Sequence, residues 1–190
     1  MRFTLVDRIL DLQPGAKITT VKTLSLAEEY LADHFPRFPV MPGVLMLEAM
    51  THASAWLIRV SEDFAHSVVV LKEARNIKYG AFVKPGQVLT ITAEILKQDD
   101  RDTQLKVQGT VGGNVACGGR LVLERFNLSE KRPDMSATDA HLKTHLRELL
   151  ALLYSPQEAS AANAPGGGQN HTHCAPPHIA IKQSTAPSAG

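Results

Sequence analysis

Cysteine is nearly absent: Cys117 and Cys174 are the two in 190 residues, too few for a disulfide framework and in keeping with a reducing compartment. A charge imbalance is absent as well. Lys and Arg number 20 against 19 Asp and Glu, a formal net charge of +1, so no basic excess points to nucleic acid or to an anionic membrane surface. No uninterrupted apolar run approaches the ~18 residues of a membrane span, and Glu48, His52 and Arg59 interrupt the most apolar segment. The opening Met-Arg-Phe-Thr-Leu-Val-Asp-Arg puts charge where a signal peptide needs an apolar core. These absences predict a cytoplasmic protein with one domain of ordinary size and an extension.

What is present is organised around residues 34–50. A loop carrying His34 and Pro36, Pro39 and Pro42 is stiff, because each proline fixes its own φ and drives its predecessor towards extended geometry. Pro42 suits the first turn of a helix, where its missing N–H is no loss. The helix from about Pro42 to Val60 carries Val44, Leu45, Met46, Leu47, Met50, Ala53, Ala55, Trp56 and Leu57 on nearly every face, which predicts a buried helix. Glu48 inside it must be paired, hydrogen-bonded or used. His52, four residues on, lies on the same face and within reach of the acid. Met46, Met50 and Trp56, at helical spacing, read as core, and Cys117 as a buried strand residue.

Strands are expected on both sides of this helix. Residues 3–12 and 16–25 read as a hairpin turned at Pro14-Gly15, and Ser25 with Glu28 suggests a capping box on a short helical turn. From residue 67 the period becomes strand-like: Val68-Val69-Val70-Leu71, continuing to Tyr79, then Leu89 to Ile95 after Pro85-Gly86, then Leu105 to Val111, and Val115 to Phe126 after Gly112-Gly113-Asn114. One long helix among five or six antiparallel strands is an α+β pattern, and a strongly curled sheet wrapped around the helix would account for its apolar circumference. The expected organisation is a domain over 1–127, a helical extension over 128–155 with a helix at Ser136 to Tyr154 packing on the domain or on a partner subunit, and a disordered low-complexity tail over 156–190.

Several stretches together resemble the 3-hydroxyacyl-acyl-carrier-protein dehydratases of bacterial fatty-acid synthesis, the FabZ/FabA type with the hotdog fold. The opening Leu5 to Gly15 is similar to the family's first hairpin. His34-Phe35-Pro36, Pro39, Met41-Pro42-Gly43-Val44-Leu45 and Glu48-Ala49-Met50 match its signature in identity and spacing, and Lys78-Tyr79, Val83, Pro85-Gly86 and Leu89 resemble a later strand motif. The chain departs from the pattern at Asp33, Arg37, Phe38, His52, Phe82 and Gln87; the family usually carries Gln where this chain has His52. The resemblance implies His34 as catalytic base, Glu48 as catalytic acid and Gly43 as the backbone N–H that binds the thioester carbonyl. It also implies an acyl-carrier-protein substrate and a homodimer in which each site takes His34 from one subunit and Glu48 from the other.

Elimination of water from a 3-hydroxyacyl thioester needs a base for the C2 proton, an acid for the departing hydroxyl and a donor for the carbonyl oxygen, with no metal or nucleotide cofactor. Imidazole suits the base. A glutamate in an apolar helix should stay protonated through desolvation and so suit the acid. A first-turn amide with the helix dipole behind it suits the oxyanion. A hotdog thioesterase and a non-catalytic acyl-binding or assembly subunit are the competing readings. The tail cluster His171-Thr172-His173-Cys174, with His178, has a metal-binding composition but fits no closed zinc spacing.

Overall fold

A computed structural model describes residues 4–35 and 37–155. Its strands are β1 (Arg8–Gln13), β2 (Lys17–Thr23), β3 (Val68–Tyr79), β4 (Val88–Gln98), β5 (Asp102–Val111) and β6 (Asn114–Phe126); its long helices are α1 (Gly43–Ser61) and α2 (Ser136–Leu153). The strands form one sheet in the order β1-β2-β4-β5-β6-β3, antiparallel at every pairing. β1 and β3 are therefore its edges, and the chain must cross from β2 through α1 before laying down β3 at the far side.

The sheet curls so that β2 to β6 all touch α1. Ile18, Leu89, Ile91, Leu105, Val107 and Leu121 close on Met46, Met50, Leu57 and Ile58 to form the core. Each such large side chain, fully withdrawn from water, contributes about 1.5–3 kcal/mol. Met50 and Trp56 are core residues as expected, and Cys117 lies buried beneath the helix with its Sγ 3.7 Å from Met50 Sδ. Ser54 stays dry by donating to the Met50 carbonyl at 2.8 Å. Among the described residues no helix is long and apolar enough to cross a membrane.

The turns follow the expected chemistry. Gly112 and Gly113 take φ of 56° and 83° between the paired Val111 and Asn114, the left-handed pair that a tight two-residue hairpin demands. Pro85 and Gly86, with Gly86 at φ 84°, bring Gln87 N to within 3.0 Å of the Lys84 carbonyl.

Three local expectations are corrected. β1 begins at Arg8, although Leu5 and Val6 before it are buried. The Ser25–Glu28 capping box does not form. Glu28 Oε1 lies 2.8 Å from Lys22 Nζ, a buried ammonium also 3.2 Å from Asp7 Oδ1, and a buried cation draws a carboxylate more strongly than an amide does. What forms is a 3-10 turn over Glu29–Leu31. Thirdly, α1 is not buried on every side. Val44 is 71% exposed, because the curled sheet covers one side of the helix and leaves its first turns open within a single chain.

α2 packs on its own chain: Leu146, Leu149, Leu150, Leu153 and Tyr154 turn towards the core. Its first turn supplies buried Asp139, which accepts from Leu128 N and Ser129 N at 2.9 Å each and makes a short hydrogen bond with the Ser67 hydroxyl. The His171–Cys174 cluster and the rest of 156–190 lie outside the described residues.

Candidate active site

The loop carrying His34 is anchored from below. Lys22 bridges Asp7 and Glu28, and Glu28 precedes the 3-10 turn that delivers the histidine. Burial alone would lower the proton affinity of Lys22; its bonds to Glu28 and Asp7 more than offset this and raise it. His34 N donates to the Tyr30 carbonyl at 3.0 Å. Phe35 then takes φ 54°, unusual for a bulky residue, and accepts from Phe38 N at 2.7 Å. The imidazole lies half-buried against the Phe35 ring, centroids 4.4 Å apart.

The helix start is fixed from the other side. Met41 N donates to the Val83 carbonyl at 2.9 Å, tying the loop to the Pro85-Gly86 segment. Pro42 occupies the N-cap and offers no side-chain acceptor; its carbonyl takes the amides of Leu45 and Met46 at 2.9 and 3.1 Å, which leaves those of Gly43 and Val44 without an intrahelical partner. Nineteen aligned peptides stand behind them. Gly43 also makes room for Tyr79: a Cβ there would lie 3.2 Å from Tyr79 Cε1 and 3.3 Å from Cζ. Burial, with Cys117 nearby, raises the phenol's pKa. Tyr79 was read only as part of a strand motif, and its place over the helix start was not visible in spacing.

Glu48 projects from the second turn. The expectation of a carboxylate enclosed by apolar side chains is not met within one chain: its side chain is 47% exposed. Its polar partner is His52, whose Nε2 lies 3.1 Å from Glu48 Oε1, the contact that i,i+4 spacing anticipated. Among the described residues His34 and Glu48 make no hydrogen bond or ion pair with each other. Phe35 and Phe38 of the loop, Val44 of the helix start and Phe82 before the Pro85-Gly86 turn are exposed large apolar side chains, with Phe38 edge-on to Phe82 at 5.6 Å and Lys84 Nζ 5.3 Å from the Phe38 centroid. Among the described residues no group of three His, Cys, Asp or Glu is placed to hold a metal ion.

Residues 1–125 match the family model described as FabA-like domain. The 3-hydroxyacyl-[acyl-carrier-protein] dehydratase FabZ of Ruminiclostridium cellulolyticum is 40% identical over 119 residues, 63% of this chain and 84% of that protein. The FabZ of Listeria innocua is 31% identical over 128 residues, 67% and 89% of the two chains. Among solved structures, the dehydratase heterocomplex ApeI:P from Xenorhabdus doucetiae aligns with a TM-score of 0.57 at 21% identity, covering 70% of this chain and 90% of that one. The acetyl-CoA-bound smu.793 of Streptococcus mutans aligns at 0.52 and 13%, covering 67% and 94%. Both share the hotdog wrap of one sheet about one helix.

Proposed function

The chain belongs to the FabA-like family, and from that premise we propose that it dehydrates 3-hydroxyacyl thioesters carried on acyl carrier protein to trans-2-enoyl thioesters in fatty-acid synthesis. The observation that carries this reading is the set of three groups the chemistry needs, His34, the Gly43 amide and Glu48, in a chain 40% identical to a FabZ dehydratase.

His34 takes the C2 proton. The electron pair left at C2 forms the new double bond as the C3–O bond breaks, and Glu48 gives its proton to the departing hydroxyl, which leaves as water. Charge gathering on the thioester oxygen is met by the Gly43 N–H, a donor that needs no reorganisation. The cycle closes when His34 returns its proton to solvent and Glu48 takes one up.

The site is completed by a second copy of the chain. Three observations support this: among the described residues His34 and Glu48 make no hydrogen bond or ion pair with each other, Phe35, Phe38, Val44 and Phe82 are exposed, and the outer edge of the 12-residue strand β3 pairs with no strand. An open edge of that length is a template for another strand, and isologous pairing would set the same edge of two chains against each other. The cytoplasmic placement of fatty-acid synthesis belongs to the same reading.

The test combines chemistry with complementation. Purified protein should convert a 3-hydroxyacyl thioester into a product with enoyl-thioester absorbance. Release of free thiol without that absorbance would show a thioesterase. His34→Ala and Glu48→Ala should each be inactive alone. Co-refolded, they should recover roughly a quarter of wild-type turnover, because half of randomly paired dimers hold one intact site of two. Inactive single variants that stay inactive when mixed would refute the shared site while leaving the reaction standing.

A further inference from the structure

The contact between Glu48 and His52 has a consequence for the acid. On α1 a stripe of polar groups runs Glu48, His52, Arg59, set among buried Thr51, Ala53, Ala55 and Trp56. His52 is half-buried, with Nε2 3.1 Å from Glu48 Oε1. Beyond it the Arg59 guanidinium carbon lies 5.6 Å from the Trp56 ring centroid. A carboxylic acid that must deliver a proton has two oxygens, and only one can bear that proton at a time. An N–H that occupies the first oxygen is compatible with a carbonyl-type oxygen before the transfer and with a carboxylate afterwards. A permanent cation in that place would instead hold the group as carboxylate throughout.

We propose that His52 is a positioning residue for the catalytic acid: its Nε2–H holds Oε1 of Glu48, so that the transferable proton sits on Oε2 and faces the substrate. This rests on the reading of Glu48 as the acid. It requires the imidazole to be uncharged during turnover, and the surroundings favour that state. Desolvation, the largest influence, lowers the proton affinity of His52; Glu48 pulls it back up, Arg59 pushes it down again, and the balance stays lowered. Among the described residues the charges that act on the ring are those two, both on α1. Of the strands packed on the helix, β6 turns Cys117 towards it; that thiol touches Met50 and is pushed up to about 11 by burial, so it adds no charge.

Two substitutions separate the proposal from plain packing. His52→Ala should lower kcat roughly tenfold to a hundredfold with little change in KM, the scale of a misplaced catalytic group. His52→Gln, whose amide N–H can make the same bond without titrating, should recover most of the loss. The acid limb of log(kcat/KM) against pH should be steeper in the wild type than in His52→Gln, since the wild type needs one more imidazole, that of His52, to be uncharged. Wild-type kcat in His52→Ala, equal losses in the two variants, or the same slope in wild type and His52→Gln would each overturn the proposal. If His52→Ala fails to fold, imidazole 15N NMR of the wild type decides: the Nε2–H tautomer at pH 8 supports it and the Nδ1–H tautomer sinks it. Retained turnover in Glu48→Ala would defeat the reading of Glu48 as the acid, a result separate from the tautomer of His52.

Discussion

The two ends of α1 are built on opposite principles. At its C-terminal end most polar groups are paired, although the buried Nε atoms of Arg59 and Arg125 make no hydrogen bond among the described residues. The Ser61 hydroxyl accepts from Gly15 N at 2.7 Å and donates to the Leu57 carbonyl at 2.6 Å. The Glu62 carboxylate gathers Arg125 Nε at 2.5 Å, Gln98 Nε2 at 2.6 Å and His66 Nδ1 at 2.9 Å. The left-handed Asp63 and Phe64 that follow are strapped by α2: Arg147 donates to the Asp63 carbonyl and covers the Phe64 ring, while Lys143 donates to the Ala65 carbonyl. At the N-terminal end the amides are uncapped, Val44 is exposed and Glu48 has one partner. Closed, ion-paired groups hold the fold; open and incompletely matched ones are left available for binding.

The comparison breaks if the open end proves to hold the fold. His34→Ala and Glu48→Ala should each lower turnover by about 10²–10⁴-fold, the range of a general acid or base. Both should leave stability to urea within roughly 1 kcal/mol of wild type, since the two side chains are only half-buried and lie outside the core. A large loss of stability in either variant would show that the site end is also a structural joint.

The closed end should respond the other way. Arg125 is 4% exposed and also donates to Thr103 Oγ1 at 2.9 Å. Arg125→Ala takes the guanidinium from the part-buried Glu62, leaving it Gln98 and His66, and should cost up to roughly 3–5 kcal/mol in urea denaturation, while kcat of the fraction still folded stays near wild type. Unchanged stability would mean that the Glu62 cluster is decoration.

Asp139 sharpens the same end through pH. Burial alone would raise its proton affinity, but the donors from Ser67, Ser129 and Leu128 more than offset this and hold the carboxyl well below the usual range. A depressed folded value adds stability above the unfolded value of about 3.9 and loses it as pH falls towards the folded one. Asp139→Asn should therefore be less stable than wild type at pH 7, and should lose less further stability between about pH 5 and 3. Parallel stability–pH curves for the two proteins would refute the coupling.

The sequence carried the frame of both ends unequally. The helix, the three Gly-containing turns and the later strands were legible because prolines, glycines and period-two alternation are local signals, and the His34–Gly43–Glu48 spacing was legible as a family pattern. The clamp was not: Asp139 reads as one more acid in a polar turn, and nothing in its neighbours reveals that Ser67, 72 positions earlier, will donate to it. The exposure of Glu48 was hidden for a related reason. An apolar helix circumference cannot distinguish burial by its own sheet from burial by another copy, and the first turns of α1 are not covered by their own sheet: Val44 is 71% exposed.

One substitution made in two places gives the smallest effect and the finest test. A Cβ at Gly109, on β5 under the helix, would lie 2.6 Å from Cys117 Sγ and 3.0 Å from Leu89 Cδ1, with closed core on every side. Gly109→Ala should cost about 1–3 kcal/mol, the range of overpacking. A Cβ at Gly43 meets only the edge of the Tyr79 ring at 3.2 Å, and Tyr79 is half exposed, so the ring can yield by a few tenths of an ångström. Removing a glycine from a helix also recovers up to about 1 kcal/mol of backbone entropy. Gly43→Ala should thus sit within roughly 0.5 kcal/mol of wild type, and in a Tyr79→Ala background, where the ring no longer opposes the methyl group, it should become stabilising. A Gly43→Ala penalty as large as that of Gly109→Ala, unrelieved by Tyr79→Ala, would show that the helix start is packed as tightly as the core, and the open end would then have to be assigned to the exposed face of Val44 and Glu48 alone.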